Sequence, residues 1–371
     1  MNRLIYAASE NDADMLYATR FLAPDAFLYF EKAGRSHVAL SQLEFDRGRK
    51  EARVDCVINQ SELVRDMRKQ GKRVDTSSWI VEVLRRHRIG SAQVASSFPV
   101  GLADALRKKG IRLVVARDGL FPERVCKKAE ELKSIRHALK VTAELLGHGI
   151  ETIRASRPAR NGVLMLGGSP LTSERVQSVI RMEASRRGFD ASRPIVAGGA
   201  QGCDPHDRGH GKLRANELII LDIFPRDLAT GYWGDMTRTV VKGRAGEVQR
   251  KLFETVRQGQ KLAFARLRAG VDGKSIHEAV EGFFREKGYK TGNESGRYEG
   301  FFHGTGHGLG LEIHESPRVS TVSHKLKRGH VVTVEPGLYY LKTGGVRIED
   351  VVVIGRGGCE VLSHFPVQLE V

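Results

Sequence analysis

The sequence predicts an α+β domain over residues 128–371, preceded by a smaller α/β domain over residues 1–127. Three observations carry this reading. Apolar strand-like runs alternate with helix-spaced runs through the first 127 residues. A long stretch dense in Lys, Glu and Ala then opens a new pattern after Gly119-Leu120-Phe121-Pro122. Beyond about residue 195 the chain turns to strands and glycine-rich loops, with helical segments set between them.

In the first domain LIYAA, FLYFE, HVALS, RVDCVI and RLVVA read as strands, while SSWIVEVLRRHR and VGLADALRKKG carry helical spacing. Neither a glycine fingerprint nor a catalytic cluster appears there, so this domain is expected to shape or cover a site elsewhere. The second domain opens on ERVCKKAEELKSIRHALKVTAELLGHGIETIRASR, a run of good helix formers. Residues 246–288 return to helix with EVQRKLFETVRQGQKLAFARL and SIHEAVEGFFREKG. Two carboxylate-bearing hairpins flank these helices and hint at a duplicated half.

At 371 residues the chain has room for two ordinary cores. Apolar residues make up 40% and mean hydropathy is negative, as in a soluble globular protein. No apolar run approaches membrane-spanning length, and the N-terminus MNRLIYAASENDADML has no long apolar region, so neither secretion nor membrane insertion is expected. Cys56, Cys126, Cys203 and Cys359 are scattered with no CxxC spacing, which reads as reduced thiols of a cytoplasmic protein. The net charge of +16 invites a nucleic-acid partner. Yet the excess is spread, with 23 basic against 16 acidic residues up to position 127 and 37 against 28 beyond it. Its clusters, such as Arg107-Lys108-Lys109, lack the interleaved aromatics of a base-stacking surface. A solvated basic surface is the expectation, with no nucleic acid and no membrane partner.

The chemistry gathers around HGTGHGLGLEIHESP, residues 303–317. His303, His307 and His314 are four and seven positions apart among Gly300, Gly304, Gly306, Gly308 and Gly310. Glycine allows close backbone approach, and imidazole binds divalent metals or carries protons near neutral pH. Carboxylates stand in strand-like contexts on both sides: Asp222 after ELIIL, Asp235 in GYWGDMTRT, Glu335 in HVVTVEPGLYY and Glu349 in VRIED. An acid inside an apolar strand is costly to bury unless something neutralises it. Each alone has an ordinary alternative, as a turn or cap residue, a strand end, or the ion-pair partner of Arg347. Together, four carboxylates and one histidine make the donor set of a paired divalent-metal site with hard oxygen ligands. On this reading Asp235 and Glu349 bridge two cations, Asp222 chelates one, and His307 and Glu335 serve the other. His303, His314 and His206 are left to hydrogen-bond a substrate carbonyl, and Arg347, two along from Glu349, to orient a bridging carboxylate.

These motifs resemble, in order, those of the metallopeptidases that include aminopeptidase P, prolidase and methionine aminopeptidase, the pita-bread family. The matching pieces are Pro205-His206, Leu221-Asp222, GYWGDMTRT at 231–239, HGTGHGLGLEIHESP at 303–317, TVEPGLYY at 333–340 and VRIED at 346–350. The resemblance implies a pita-bread catalytic domain and a creatinase-type N-terminal domain. It implies metal ligands Asp222, Asp235, His307, Glu335 and Glu349, with two divalent ions per chain, manganese foremost and cobalt, zinc or iron as alternatives. It further implies that Glu335 exchanges protons with a bridging hydroxide, that His206, His303 and His314 contact substrate with Arg347 in support, and that the protein is a homodimer acting on peptides with proline second. The function so implied is an Xaa-Pro aminopeptidase. Its alternatives are a prolidase restricted to dipeptides and, from another class, an inactive binding module.

One departure stands out. Asp222 and Asp235 are thirteen positions apart, two more than the family's usual interval, and Phe224 stands where a glycine is usual. A longer hairpin tip over Pro225 to Thr230 absorbs two residues without changing which face the acids occupy, since two is one strand period. Asp227, in that turn-rich tip, is expected to face solvent or the substrate entrance.

Overall fold

The computed structural model describes residues 2–117, 119–294 and 296–371. The chain divides into two compact units, Met1–Arg124 and Val125–Val371, three residues before the boundary drawn from the sequence.

The first unit is built on a four-stranded sheet in the order Leu4–Ala7, Phe27–Lys32, Arg35–Leu40, Cys56–Asn59. The first three strands are antiparallel, and the fourth joins parallel after the crossover helix Gln42–Glu51. Alternate side chains feed two cores: Leu4, Leu28, Phe30 and Ala39 on one face, Ile5, Phe27, Tyr29, Val38 and Leu40 on the other. Both faces are covered, which is why these strands read as unbroken apolar runs. A parallel pair, Ser91–Val94 with Arg112–Val115, completes the α/β unit.

In the second unit the order helix, helix, sheet occurs twice. Helices Ala129–Arg154 and Ser173–Arg186 precede a three-stranded antiparallel sheet of Ile195–Gly198, Leu218–Ile223 and Met236–Val241. Helices Glu247–Arg266 and Gly273–Glu286 precede a five-stranded sheet in the order Glu315–Val319, Gly306–Gly308, Val331–Val334, Asp350–Ile354, Cys359–Val361. A hairpin of Gly337–Tyr340 and Gly344–Arg347 adjoins it.

The first long helix starts where Glu131 accepts from the Lys128 N–H at 3.0 Å, with Glu130 also in the first turn. Its buried stripe, Ile135, Ala138, Leu139, Thr142, Leu145, Leu146, Gly149, Ile150 and Ile153, follows the three-and-four spacing of one face. Each large apolar side chain so covered contributes about 1.5–3 kcal/mol. That face lies so close to the sheet that a side-chain carbon at Gly234 would sit 2.8 Å from the carbonyl oxygen of Ala138. Glycine before Asp235 therefore lets the acid-bearing segment lie directly on the helix.

Candidate metal centre

The five residues singled out from the sequence sit at strand ends and breaks, where a side chain leaves the ladder while its backbone stays tied to it. Asp222 is next to last in Leu218–Ile223, opposite Thr237 and Ile195. Asp235 immediately precedes Met236–Val241, and His307 is the middle residue of Gly306–Gly308. Glu335 and Glu349 occupy the breaks after Val331–Val334 and Gly344–Arg347. The Glu335 N–H donates to Thr305 O at 2.8 Å within the five-stranded sheet, and the Glu349 N–H donates to Thr237 O at 3.1 Å, which joins the two sheets at the site. Close approach again needs glycine, because a Cβ on Gly306 would overlap the Thr333 carbonyl.

One ligand atom each from Asp235, His307 and Glu349 falls within 4.8 Å of the others, and all three residues are buried. His307 Nε2 is 3.3 Å from Glu335 Oε1 and 3.7 Å from Asp235 Oδ2. Its Nδ1 contacts Gly308 O at 3.1 Å, so that nitrogen carries the proton and Nε2 turns a lone pair on the carboxylates. Thr237 donates to Glu349 at 2.7 Å and Thr333 to Glu335 at 3.3 Å. Arg347 donates to Oδ2 of Asp222 at 2.7 Å, while Oδ1 of the same carboxylate is buried with no hydrogen-bond partner.

Electrostatics describe a centre of excess negative charge. Burial first, then Asp222 and Glu335, hold the Asp235 carboxyl well above the usual range. Burial first, then Asp235, Glu335 and Asp222, do the same to Glu349. Glu335 is pushed up to about 7, mainly by burial, with Arg347 opposing and Asp222 adding. Burial lowers His307 to about 3, so its imidazole is neutral and able to ligate. Carboxylates that raise one another's pKa, an orphaned carboxylate oxygen and a neutral imidazole facing them fit divalent cations, whose charge reverses the repulsion.

The remaining sequence-predicted residues divide. His314 is exposed and its ring stands edge-on to His307, centroids 4.4 Å apart. His206 is exposed on a loop whose Pro205 carbonyl accepts from Arg347 at 3.4 Å. His303 has both ring nitrogens engaged, Nδ1 with Gly304 O and Nε2 with Tyr339 OH, each at 2.8 Å, and burial lowers it to about 3. Arg347 was expected to orient the bridging Glu349; it reaches that residue only through the Thr237 hydroxyl, 3.4 Å from its Nε, while its guanidinium engages Asp222 directly and, at 3.0 Å, the Tyr339 hydroxyl. The reason is that Glu349 lies beyond the end of Gly344–Arg347, so period-two alternation does not carry across the break. Asp227 does not face solvent. It is buried in its own turn, accepting from Ala229 N at 2.9 Å and Thr230 Oγ1 at 2.7 Å.

Sequence reasoning missed Thr237, Tyr339, Gln260 and Arg318. Thr237 and Tyr339 stand inside motifs already quoted; Gln260 is unmarked in a helix. Arg318 is opposite His307 in the strand pair, and it acts on His307, His314 and Glu335 through its charge.

The description of metallopeptidase family M24 matches residues 133–356. The chain belongs to metallopeptidase family M24. Among its M24 relatives, the Xaa-Pro dipeptidase of Pyrococcus horikoshii is 32% identical over 280 residues, 74% of this chain and 73% of that protein. The Xaa-Pro dipeptidase of Pyrococcus furiosus is 33% identical over 243 residues, 65% of this chain and 63% of that one. The prolidase structure from P. horikoshii superposes with a TM-score of 0.79 at 25% identity, covering 99% of this chain and 95% of that one. An X-Pro aminopeptidase structure from Thermotoga maritima, at 22% identity, shares the fold with a TM-score of 0.81 over 100% of this chain and 97% of its own. The M24 chain thus has the pita-bread fold with an additional N-terminal domain, and it is a metallopeptidase. Among the described residues no helix is long and apolar enough to cross a membrane.

Proposed function

We propose that this M24 chain is a metallo-exopeptidase hydrolysing the Xaa-Pro bond at the N-terminus of peptides, with two divalent cations held by Asp222, Asp235, His307, Glu335 and Glu349. The observation that carries this reading is the converging carboxylate set around His307, together with Asp222, whose Oδ1 is buried and unpartnered and whose charge acts on Asp235 and Glu335. Bound divalent ions would supply Lewis acidity and a water of lowered pKa.

The protein's own groups do the rest. Glu335 is the acid-base group of this reading: it would take a proton from the attacking water and return it to the departing nitrogen of the Xaa-Pro bond. The exposed His314 and His206 are the donors for the substrate carbonyl. His303, with both nitrogens committed, acts through Tyr339 and Arg347 on Asp222. Manganese, a dimeric state and a cytoplasmic setting belong to the same proposal.

A second reading, restriction to dipeptides, is favoured by Arg318. Among the described residues its guanidinium makes no ion pair or hydrogen bond, and it is partly exposed beside His314, as a receptor for a substrate carboxylate would be. The deciding experiment compares an Xaa-Pro dipeptide with the Xaa-Pro-Yaa tripeptide sharing its start, after metal analysis of protein purified without chelator. Metal-dependent release of Xaa from both supports the aminopeptidase, release from the dipeptide alone supports the second reading, and no hydrolysis with any divalent ion removes both.

A further inference from the structure

Behind the metal centre lies a buried polar network that the reaction itself does not use. Gln260, on helix Glu247–Arg266, is 3% exposed. Its amide nitrogen is 3.1 Å from Val334 O, 3.2 Å from Ile348 O and 3.0 Å from Asp350 Oδ2. Val334 immediately precedes Glu335, and Ile348 immediately precedes Glu349. A single side-chain nitrogen is therefore the common reference for the backbone of two of the proposed ligands, which lie in different strand breaks.

The third acceptor, Asp350, extends the network. Its Oδ1 takes hydrogen bonds from Arg238 Nη2 and Ser363 Oγ, both at 2.8 Å. Arg238, itself 2% exposed, also donates to Glu349 O at 2.6 Å and to the carbonyls of Phe365 and Pro366 at 2.8 and 3.1 Å. Both carboxylate oxygens of Asp350 are thus occupied, so it is a fixed point and not a further ligand. Glu349 is held through its N–H by Thr237 O, through its carbonyl by Arg238, and through its side chain by the Thr237 hydroxyl. Glu335 has its N–H tied to Thr305 O; the carbonyl of its own peptide bond is tied to Gln260.

We propose that Gln260, braced by Asp350 and Arg238, is a positioning residue that sets the separation of Glu335 and Glu349 and so the affinity of the second divalent ion. The inference rests on the metal-centre reading above. Replacing Gln260 by Met keeps length and bulk and removes the donors, which cuts the tie that holds Val334 O, Ile348 O and Asp350 Oδ2 to one point. Replacing it by Glu sets a carboxylate against three acceptors and is the stronger perturbation.

The test is calorimetric titration of metal-free wild type, Gln260→Met and Gln260→Glu with Mn(II), beside electron paramagnetic resonance of the loaded proteins and thermal melts. Glu254→Gln, on the same helix at the surface, is the control. The expected result is two Mn(II) sites in wild type and control. In Gln260→Met the first site should be nearly unchanged and the second weaker by about 10–100-fold, with a diminished exchange-coupled dimanganese signal and a lower kcat at similar KM. In Gln260→Glu the second site should be lost. A Gln260→Met protein that melts lower yet binds both ions as wild type does overturns the inference and leaves the metal centre standing. A wild type that binds no Mn(II) overturns both.

Discussion

Arg347 and Asp222 form an ion pair of 2.7 Å in which only one carboxylate oxygen is used, the other being left buried and unpartnered. The pair is nearly closed to solvent, with side-chain exposures of 3% and 13%. The arginine fixes the carboxylate's orientation and leaves Oδ1 for another cation. Arg347→Ala should weaken metal binding about 10–100-fold and lower turnover, and Arg347→Lys, which cannot span both Asp222 and Tyr339, should recover only part of either. Competition with a chelating indicator measures it; a wild-type affinity in Arg347→Ala would remove this role.

The two aspartates of the long hairpin should separate cleanly. Asp222→Asn is expected to lose one metal and nearly all activity. Asp227→Ala should retain both metals and instead cost about 1–2 kcal/mol of stability, because Ala229 N–H and Thr230 Oγ1 lose their acceptor. Metal-to-protein ratios and urea melts of the purified variants distinguish the outcomes, and metal loss in Asp227→Ala would mean the hairpin register is misread.

His314→Ala is predicted to keep its metal content and to lose about 10²-fold in kcat, since an exposed donor is removed without touching His307 Nε2. Parallel loss of metal and activity would show that His314 and not His307 ligates.

Arg318 bears on substrate length. If it receives the carboxylate of a dipeptide, Arg318→Met should raise KM for Xaa-Pro about 10-fold or more, with little change for an amidated tripeptide. Equal effects on both substrates would assign Arg318 to the electrostatics of His307, His314 and Glu335 alone.

The pH dependence of stability has an identifiable contributor away from the metals. His330 is buried, accepts from the Lys327 N–H at 3.2 Å, and is lowered to about 4 by burial first and then by Lys327 and Lys127. An unfolded imidazole titrates near 6.5, so between these values the unfolded chain binds more protons. Stability from this group is complete above about 6.5 and falls as pH drops toward 4. His330→Asn, which keeps an acceptor but no titration, should lose less stability than wild type between pH 7 and 5, by on the order of 1 kcal/mol. Denaturant melts at the two pH values measure the difference, and identical pH slopes in the two proteins would refute it.

Legibility from sequence followed the strength of the periodic signal. Helix Ala129–Arg154 was readable because its buried residues recur on one face, and the strands of the first unit because both faces are covered. Helix Gln42–Glu51 was not, since only Gly48 in it is buried and no apolar stripe exists. In the site, the acids and histidines were visible because charge inside apolar strands is conspicuous. The positions of Arg347, His303 and Asp227 were not, because they depend on where strands break and on which hydroxyl or turn amide lies nearby. Gln260 illustrates the limit: a glutamine on an amphipathic helix carries no mark until strands seventy or more residues away deliver their carbonyls to it.

Asp222 and Asp235 belong to the first helix-helix-sheet half of the catalytic unit, and His307, Glu335 and Glu349 to the second. Any cation gripped by members of both sets is therefore a crosslink between segments distant along the chain, formed only once both halves have folded. By mass action such a crosslink stabilises the native state by RT ln(1 + [M]/Kd), or about 2.7 kcal/mol at a hundredfold excess over Kd. The enzyme's resistance to unfolding and proteolysis would then track the free divalent-ion concentration around it, so that metal scarcity thins its population as well as silencing it.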